Sequence, residues 1–355
     1  MNLYTTDGYA DMSAIYNIDV PFIFVIGGRG TGKTYGILKY VLENNIKFMY
    51  MRRQQSQTDM INKPEFSPFK PITFDNPQYR IGSVPLSKYN AGFYNMVEAD
   101  GKLKVTGEPI GYTCALSTIS NLRGFDASDV NVIIYDEFIS EKHERPIRHE
   151  GDAFLNAYET INRNRELKGQ PPVKLIALSN ANNLASPIFE TLRLIDRVDR
   201  MQRKHKNLWV DHDKGIAIII LTDSPISDRK QNTALYKISQ DTDFAEMSLS
   251  NSFAFEDYSY IGSRPLAEYR PVVAVEDVCV YVHKSNDTYY VTRFISGSPE
   301  KFTRSELDIN QFKMRYSSLY FAMCGGRMIF SDYYCKQFLT KIDKNREKGC
   351  TFVTK

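Results

Sequence analysis

The sequence predicts an α/β fold on a mainly parallel sheet, followed by a short helical linker and a smaller α+β domain. Three observations predict it. Continuous apolar segments recur through the first 225 residues, helical stretches alternate with them, and the texture turns antiparallel after about residue 255. Strands covered by helices on both faces read as unbroken apolar runs, whereas half-solvated antiparallel strands alternate. Strands that alternate with helices assemble into a parallel sheet.

The apolar segments are PFIFVIGG at 21–28, IKFMYMRR at 46–53, VNVIIYDE at 130–137 and VKLIALSN at 173–180. A helix over 33–42 follows the first of them directly. A second, over 153–164, carries Phe154, Tyr158 and Ile161 on one face at i, i+4 and i+7. A third opens with Ser186 as N-cap and Pro187 in the first turn, and runs through Ile188, Leu192 and Ile195. Residues 60–110, rich in Pro, Gly and Asn with short alternating runs, are read as an insertion at the sheet's edge. From 227 to 251 two short helices carry Leu235, Ile238, Phe244 and Met247 with few other apolar anchors, as a connector would. Beyond 255, VVAVEDVCVYV, a KSNDT turn and YYVTRFI predict an antiparallel hairpin. One helix then runs from Ser305 to Gly325-Gly326, and another carries Tyr334, Phe338 and Ile342. The expected domains are 1–226, a linker at 227–254, and 255–355.

Composition narrows the function classes. At 355 residues, 42% hydrophobic and 25% charged, the chain is globular and longer than one compact domain usually is. Its 45 basic and 42 acidic residues leave a net +3, so any nucleic-acid surface has to come from local clustering. Cysteines at 114, 279, 324, 335 and 350 form no C-x-x-C pair and no zinc-like spacing, which predicts reduced thiols inside a cell. The longest apolar runs, 22–26 and 216–221, suit buried strands rather than a membrane span, and the opening residues lack a secretion pattern.

The chemistry concentrates in GGRGTGKT. Gly27-x-x-x-x-Gly32-Lys33-Thr34 fits the P-loop pattern, with the buried strand before it and the helix after it that this loop requires. Gly27, Gly28, Gly30, Thr31 and Gly32 let successive amides point inward, and the helix N-terminus adds positive potential, so the expected ligand is a nucleoside triphosphate. Lys33 is expected on its β- and γ-phosphates and the Thr34 hydroxyl on Mg²⁺. Asp136, at the end of a strand expected beside the P-loop strand, is the second Mg²⁺ residue. Glu137 follows as the base that orients and deprotonates water. Two adjacent acids after an apolar strand are costly to bury without a cation. In this order the two motifs predict an ASCE-type P-loop NTPase that hydrolyses its nucleotide. Asn180 ends a third strand and is read either as a γ-phosphate sensor or as a turn-former. Among arginines that could offset transition-state charge, Arg29 lies inside the loop, Arg52 and Arg53 end the second strand, and Arg163 and Arg165 end the helix after the acid pair. Of the strand pair, Arg53 is assigned to the nucleotide.

Taken in order, FIFVIGGRGTGKT, FMYMRR, IIYDEFISEK, NRNRE, LSNA and AEMSL resemble the DNA-packaging ATPases of small short-tailed, phi-29-like bacteriophages over residues 20–250. The resemblance implies ATP and Mg²⁺ as ligands and a homo-oligomeric ring, expected to be a pentamer. That ring acts in the host cytoplasm and transiently on the portal vertex of a procapsid, with packaging RNA, driving double-stranded DNA inward. It implies an arginine finger acting on the neighbouring subunit's ATP, matched by Arg163 with Arg165 in reserve. It also implies that the C-terminal domain is a vestigial, inactive RNase H-like nuclease. The acids Glu256, Asp257, Glu268, Glu276, Asp277 and Asp287 show no strand-spaced metal cluster in the sequence.

Sequence-independent DNA grip needs Lys and Arg against phosphate. The densest basic run is RVDRMQRKHK at 197–206, with 52–70 and 122–129 as other strand-end candidates. A P-loop helicase and a non-catalytic, nucleotide-gated assembly protein are the alternative functions. The second leaves Glu137 without a purpose. No recognition-helix pattern supports a transcription factor.

Overall fold

The computed structural model describes residues 1–122, 124–141, 144–180, 186–222, 224–239 and 260–344. Two compact units emerge, residues 1–194 with 200–256 and residues 195–199 with 257–355.

The first unit is a nine-stranded sheet in the order β3-β4-β5-β2-β6-β7-β1-β9-β8. Its strands are β1 (Phe22–Gly27), β2 (Phe48–Arg52), β3 (Ile81–Pro85), β4 (Ala91–Ala99), β5 (Lys102–Ala115), β6 (Val132–Asp136), β7 (Lys174–Ser179), β8 (Leu208–Asp211) and β9 (Ile216–Leu221). All pairings from β5 through β9 are parallel, while β3, β4 and β8 add antiparallel edges. The apolar strands are continuous because both faces are covered. Ile23 and Val25 of β1 pack with Ile37, Leu38 and Val41 of the helix Lys33–Glu43, while Phe24 meets Phe138, Phe154 and Phe189 on the other face. Burying one such phenylalanine contributes roughly 1.5–3 kcal/mol.

Three expectations about this unit's architecture change. The strand ending in Asp136 does not adjoin the P-loop strand, because β7 lies between β1 and β6. The interposed strand carries the Ser179–Asn180 end into the centre of the sheet's carboxyl edge. The 60–110 insertion does more than decorate: β5 is 14 residues long, and its last five residues pair with β2 inside the parallel sheet. The helix capped by Ser186, whose hydroxyl accepts from the Phe189 amide, stops at Thr191, and a new helix, Ile195–Arg203, follows. Arg193 between them has φ 55°, a left-handed value that no continuous helix admits.

The second unit is a five-stranded mixed sheet in the order β13-β10-β11-β12-β14, from β10 (Tyr269–Val275), β11 (Val278–His283), β12 (Tyr289–Thr292), β13 (Glu300–Phe302) and β14 (Met328–Phe330). The predicted hairpin is β11–β12, and β10–β12 form an antiparallel meander, with β13 and β14 added in parallel at either end. Ser305 caps its helix as expected, but the element is two helices, Glu306–Arg315 and Ser317–Cys324, broken at Tyr316. The last helix, Tyr333–Lys344, carries Phe338 and Ile342 into the core. Of the linker, the helices Pro225–Lys230 and Ala234–Ile238 are described. Phe244, Met247, Glu256, Asp257, Cys350 and the AEMSL segment lie outside the described residues.

Candidate active site

At the carboxyl edge of the parallel sheet a cavity of about 370 Å³ is lined by Arg29 through Tyr35, Asp136, Glu137, Glu141, Ser179 and Asn180. The loop's conformation follows from its glycines. Gly30 and Gly32 have φ of 67° and 84°, which cost little without a Cβ. Gly27 lies against Leu221, where a Cβ would come within 2.8 Å.

Lys33 is buried at 7% exposure and donates to the carbonyls of Gly27 (3.0 Å) and Gly28 (2.8 Å), with Asn180 Oδ1 at 3.4 Å. Burial brings its ammonium pKa down to about 8, with Lys230 adding to the fall and Asp136 and Glu137 opposing it. Thr34 Oγ1 donates to Asp136 at 3.1 Å. Asp136 also accepts from Tyr50 Oη at 2.6 Å and from Arg52 at 3.2 Å. Burial next to Asp136 drives the Tyr50 phenol well above its ordinary range, so it remains a donor. The convergence of a hydroxyl and a carboxylate on one side of the phosphate loop is an oxygen donor set that suits Mg²⁺, which binds through one or two protein oxygens, waters and phosphate. Thr34 and Asp136 would hold it.

Glu137 is the first residue past β6. Its φ of 57° turns the chain sharply, an unusual value for a non-glycine residue, and its amide donates to Asp136 Oδ1 at 3.1 Å. Burial raises its carboxyl pKa, partly offset by Arg52, whose guanidinium forms an ion pair with it. A raised pKa makes the carboxylate a better proton acceptor. Asn180 lies at the mouth beside Lys33, where a γ-phosphate sensor would stand; the residues that would form a turn after it, 181–185, lie outside the described residues.

The arginines divide. Arg29 is ion-paired with Glu141 across the cavity. Arg53 does not meet the cavity, contrary to its assignment to nucleotide. Its guanidinium is fully buried, bonded to Glu150 at 2.7 and 2.9 Å and paired with Glu144. Arg163 and Arg165 also lie off the cavity's lining. Arg165 is buried and donates to the Ser128 carbonyl, while Arg163 is exposed, donating to Phe125 O with Asp126 at 3.5 Å. Sequence reasoning left out Tyr50 and Glu141, whose roles are set by strand pairing and by a loop that sequence spacing does not report. The basic run at 197–206 falls on the end of the helix Ile195–Arg203, which buries Val198 and Met201 and exposes Arg200 and Arg203, and on the residues after it, where Lys204 and Lys206 are exposed. Among the described residues no group of three or more His, Cys, Asp or Glu could hold a metal, and no helix is long and apolar enough to cross a membrane.

A buried strand, a glycine loop, a helix-borne Lys-Thr and an acid pair on a second parallel strand define a P-loop nucleotide-binding protein of the α/β class. Known proteins narrow this further: the family model for the podovirus DNA encapsidation protein (Gp16) matches residues 9–319, and the chain belongs to that family. The DNA packaging proteins of Bacillus phages PZA and phi29 are each 30% identical to it over 247 residues. Those alignments take in 68% of this chain and 64% of each relative, so the chain matches less than two thirds of their length. The fold is similar to that of a chain from the bacteriophage Phi-29 viral genome packaging motor assembly, with a TM-score of 0.66 and 21% identity over 97% of this chain and 99% of that one. A chain of the Phi-28 gp11 DNA packaging motor gives 0.62 at 18% identity, over 98% of this chain and 100% of that one.

Proposed function

We propose that the protein is the ATPase of a DNA-packaging motor, which hydrolyses Mg-ATP to translocate double-stranded DNA into a procapsid. The observation that carries this reading is the meeting of Lys33, Thr34, Asp136, Glu137 and Asn180 around one cavity. Membership of a DNA encapsidation family supports this reading, and with it we propose the setting: a homo-oligomeric ring, taken as a pentamer, at a portal vertex with packaging RNA, in the host cytoplasm. The second unit is read as an inactive, RNase H-like domain.

In this mechanism the loop amides and Lys33 hold the β- and γ-phosphates. Mg²⁺, when bound at Thr34 and Asp136, neutralises charge on the phosphate oxygens. Glu137 takes a proton from the attacking water once its carboxylate leaves Arg52. Asn180 orients that water or the γ-phosphate, and Arg163 of a neighbouring subunit approaches the phosphates as charge develops. Arg29, paired with Glu141, borders the same phosphates in cis. Exposed basic residues at 197–206 are proposed to contact DNA phosphate.

The test is ATP turnover with and without long duplex DNA. Turnover should rise with DNA, and Glu137→Gln should lower it by about 10²–10⁴-fold, the contribution of a positioned base, while Mg-ATP binding persists. A glutamine variant that hydrolyses ATP like the wild type would remove Glu137 from this role. Strand separation with a single-strand preference would instead favour a helicase.

A further inference from the structure

Lys230 ends the helix Pro225–Lys230, and its ammonium donates to the backbone carbonyl of Arg29 inside the phosphate loop. The approach depends on the loop's composition, because a Cβ on Gly30 would collide with that ammonium. The side chain is half-buried, and among the described residues no carboxylate pairs with it. Its charge also opposes that of Lys33. Two ammonium groups on one short loop repel each other, and an anion bound between them relieves the repulsion.

The helix carrying Lys230 is tied to the phosphate loop by a second route. Ser224 Oγ donates to the Gly8 carbonyl at 3.1 Å, and Gly8 is pressed against Pro225 so closely that a Cβ would come within 2.8 Å. Two residues on, the Ala10 amide donates to the Thr31 carbonyl at 2.8 Å, and Tyr9 lies against Gly32. Residues 8–10 therefore bridge the start of the helix to the middle of the loop. Arg29, whose carbonyl Lys230 holds, reaches Glu141 on the segment that follows Glu137. This is the end of the cavity where a terminal phosphate has to meet the attacking water.

We propose that Lys230 is a phosphate-contacting residue that moves from the Arg29 carbonyl to the terminal phosphate of bound nucleoside triphosphate. Loss of that phosphate on hydrolysis then releases the helix Pro225–Lys230, and with it the chain that leads out of the ATPase unit. The inference rests on the triphosphate site proposed above.

Binding of a non-hydrolysable Mg-ATP analogue and of Mg-ADP to the full chain tests it, in the wild type and in Lys230→Ala, Lys230→Arg and Lys33→Ala. Lys230→Ala should weaken the triphosphate analogue about tenfold or more and Mg-ADP by less than about threefold, the scale of one charge-assisted hydrogen bond. Lys230→Arg should recover most of the triphosphate affinity, which a general loss of folding would not allow. Equal weakening of both nucleotides, or none, overturns the inference. If Lys33→Ala loses both nucleotides while Lys230→Ala binds like the wild type, only the Lys230 inference falls. A wild-type chain that binds neither nucleotide removes the triphosphate site and the inference together.

Discussion

Arg52 and Arg53 are neighbours in sequence, but Arg52 ends β2 and Arg53 is the first residue past it, and their side chains leave the strand end on opposite sides. Arg52 therefore reaches Asp136 and Glu137, while Arg53 is enclosed by Glu150 and Glu144. Arg53 is fully buried and Glu150 is 3% exposed. Removing one partner of such a pair leaves an uncompensated buried charge, so Arg53→Ala should cost about 3–5 kcal/mol in denaturant unfolding of the first unit. An apolar double replacement, Arg53→Met with Glu150→Leu, should regain part of that loss, because it removes the most deeply buried pair at once and leaves Glu144 with its bond from Gln57. A loss below about 1 kcal/mol for the single variant would mean that the network is no more than a surface pair. The parity of this strand was not legible in the sequence. Both faces of β2 are apolar along Phe48 to Met51, so no alternation marks which arginine faces the cavity.

At the scale of elements, the aromatic face of the sheet is closed by two crossing helices, Glu150–Asn162 and Pro187–Thr191. They approach at Gly151, where a Cβ would overlap Thr191 Oγ1 and come within 3.0 Å of the Pro187 carbonyl. Gly151→Ala should destabilise the unit by about 1–3 kcal/mol, the usual cost of overpacking. Adding Thr191→Ala should restore only a small part of it, since the hydroxyl is gone but the Thr191 Cβ, at 2.6 Å, and the Pro187 carbonyl remain in the way. Equal stability of the single variant and the wild type, read by thermal unfolding, would show that the helices separate freely. The strands, the loop glycines and the Ser186 cap were legible because each follows from local chemistry: continuous burial, positive φ, an oxygen ready to accept from an exposed amide. The order of strands was not. Which strand lies between β1 and β6 depends on crossovers tens of residues long, and the interposed β7 is what brings Asn180 to Lys33. The break at Tyr316 was equally hidden, because Ser305 to Gly325 offers good caps at both ends and no proline or glycine within.

At the scale of the whole molecule, the arginines decide whether one chain can form a complete hydrolytic site. Arg29 and Arg52 stand close to the phosphate loop and acid pair, and both already hold a carboxylate, Glu141 and Glu137. Arg163 and Arg165 point instead to the backbone of residues 125–128 in their own chain. Arg165 is buried there, whereas Arg163 keeps about two fifths of its side chain exposed (41%). Only Arg163 can therefore extend to another copy without breaking open the fold. In the ring proposed above, Arg163 is therefore the candidate finger, while the buried bond from Arg165 to the Ser128 carbonyl ties down the helix end. A ring assembled from Arg163→Ala subunits alone, or from Glu137→Gln subunits alone, should be inactive. Mixing the two creates interfaces at which an intact Glu137 on one subunit meets an intact Arg163 from the next. Hydrolysis should then rise from both pure ends to a maximum at an intermediate ratio, measured as DNA-stimulated phosphate release. If Arg163 acted within its own subunit, each chain would carry one defect in its own site, and every mixture would stay as inactive as its components.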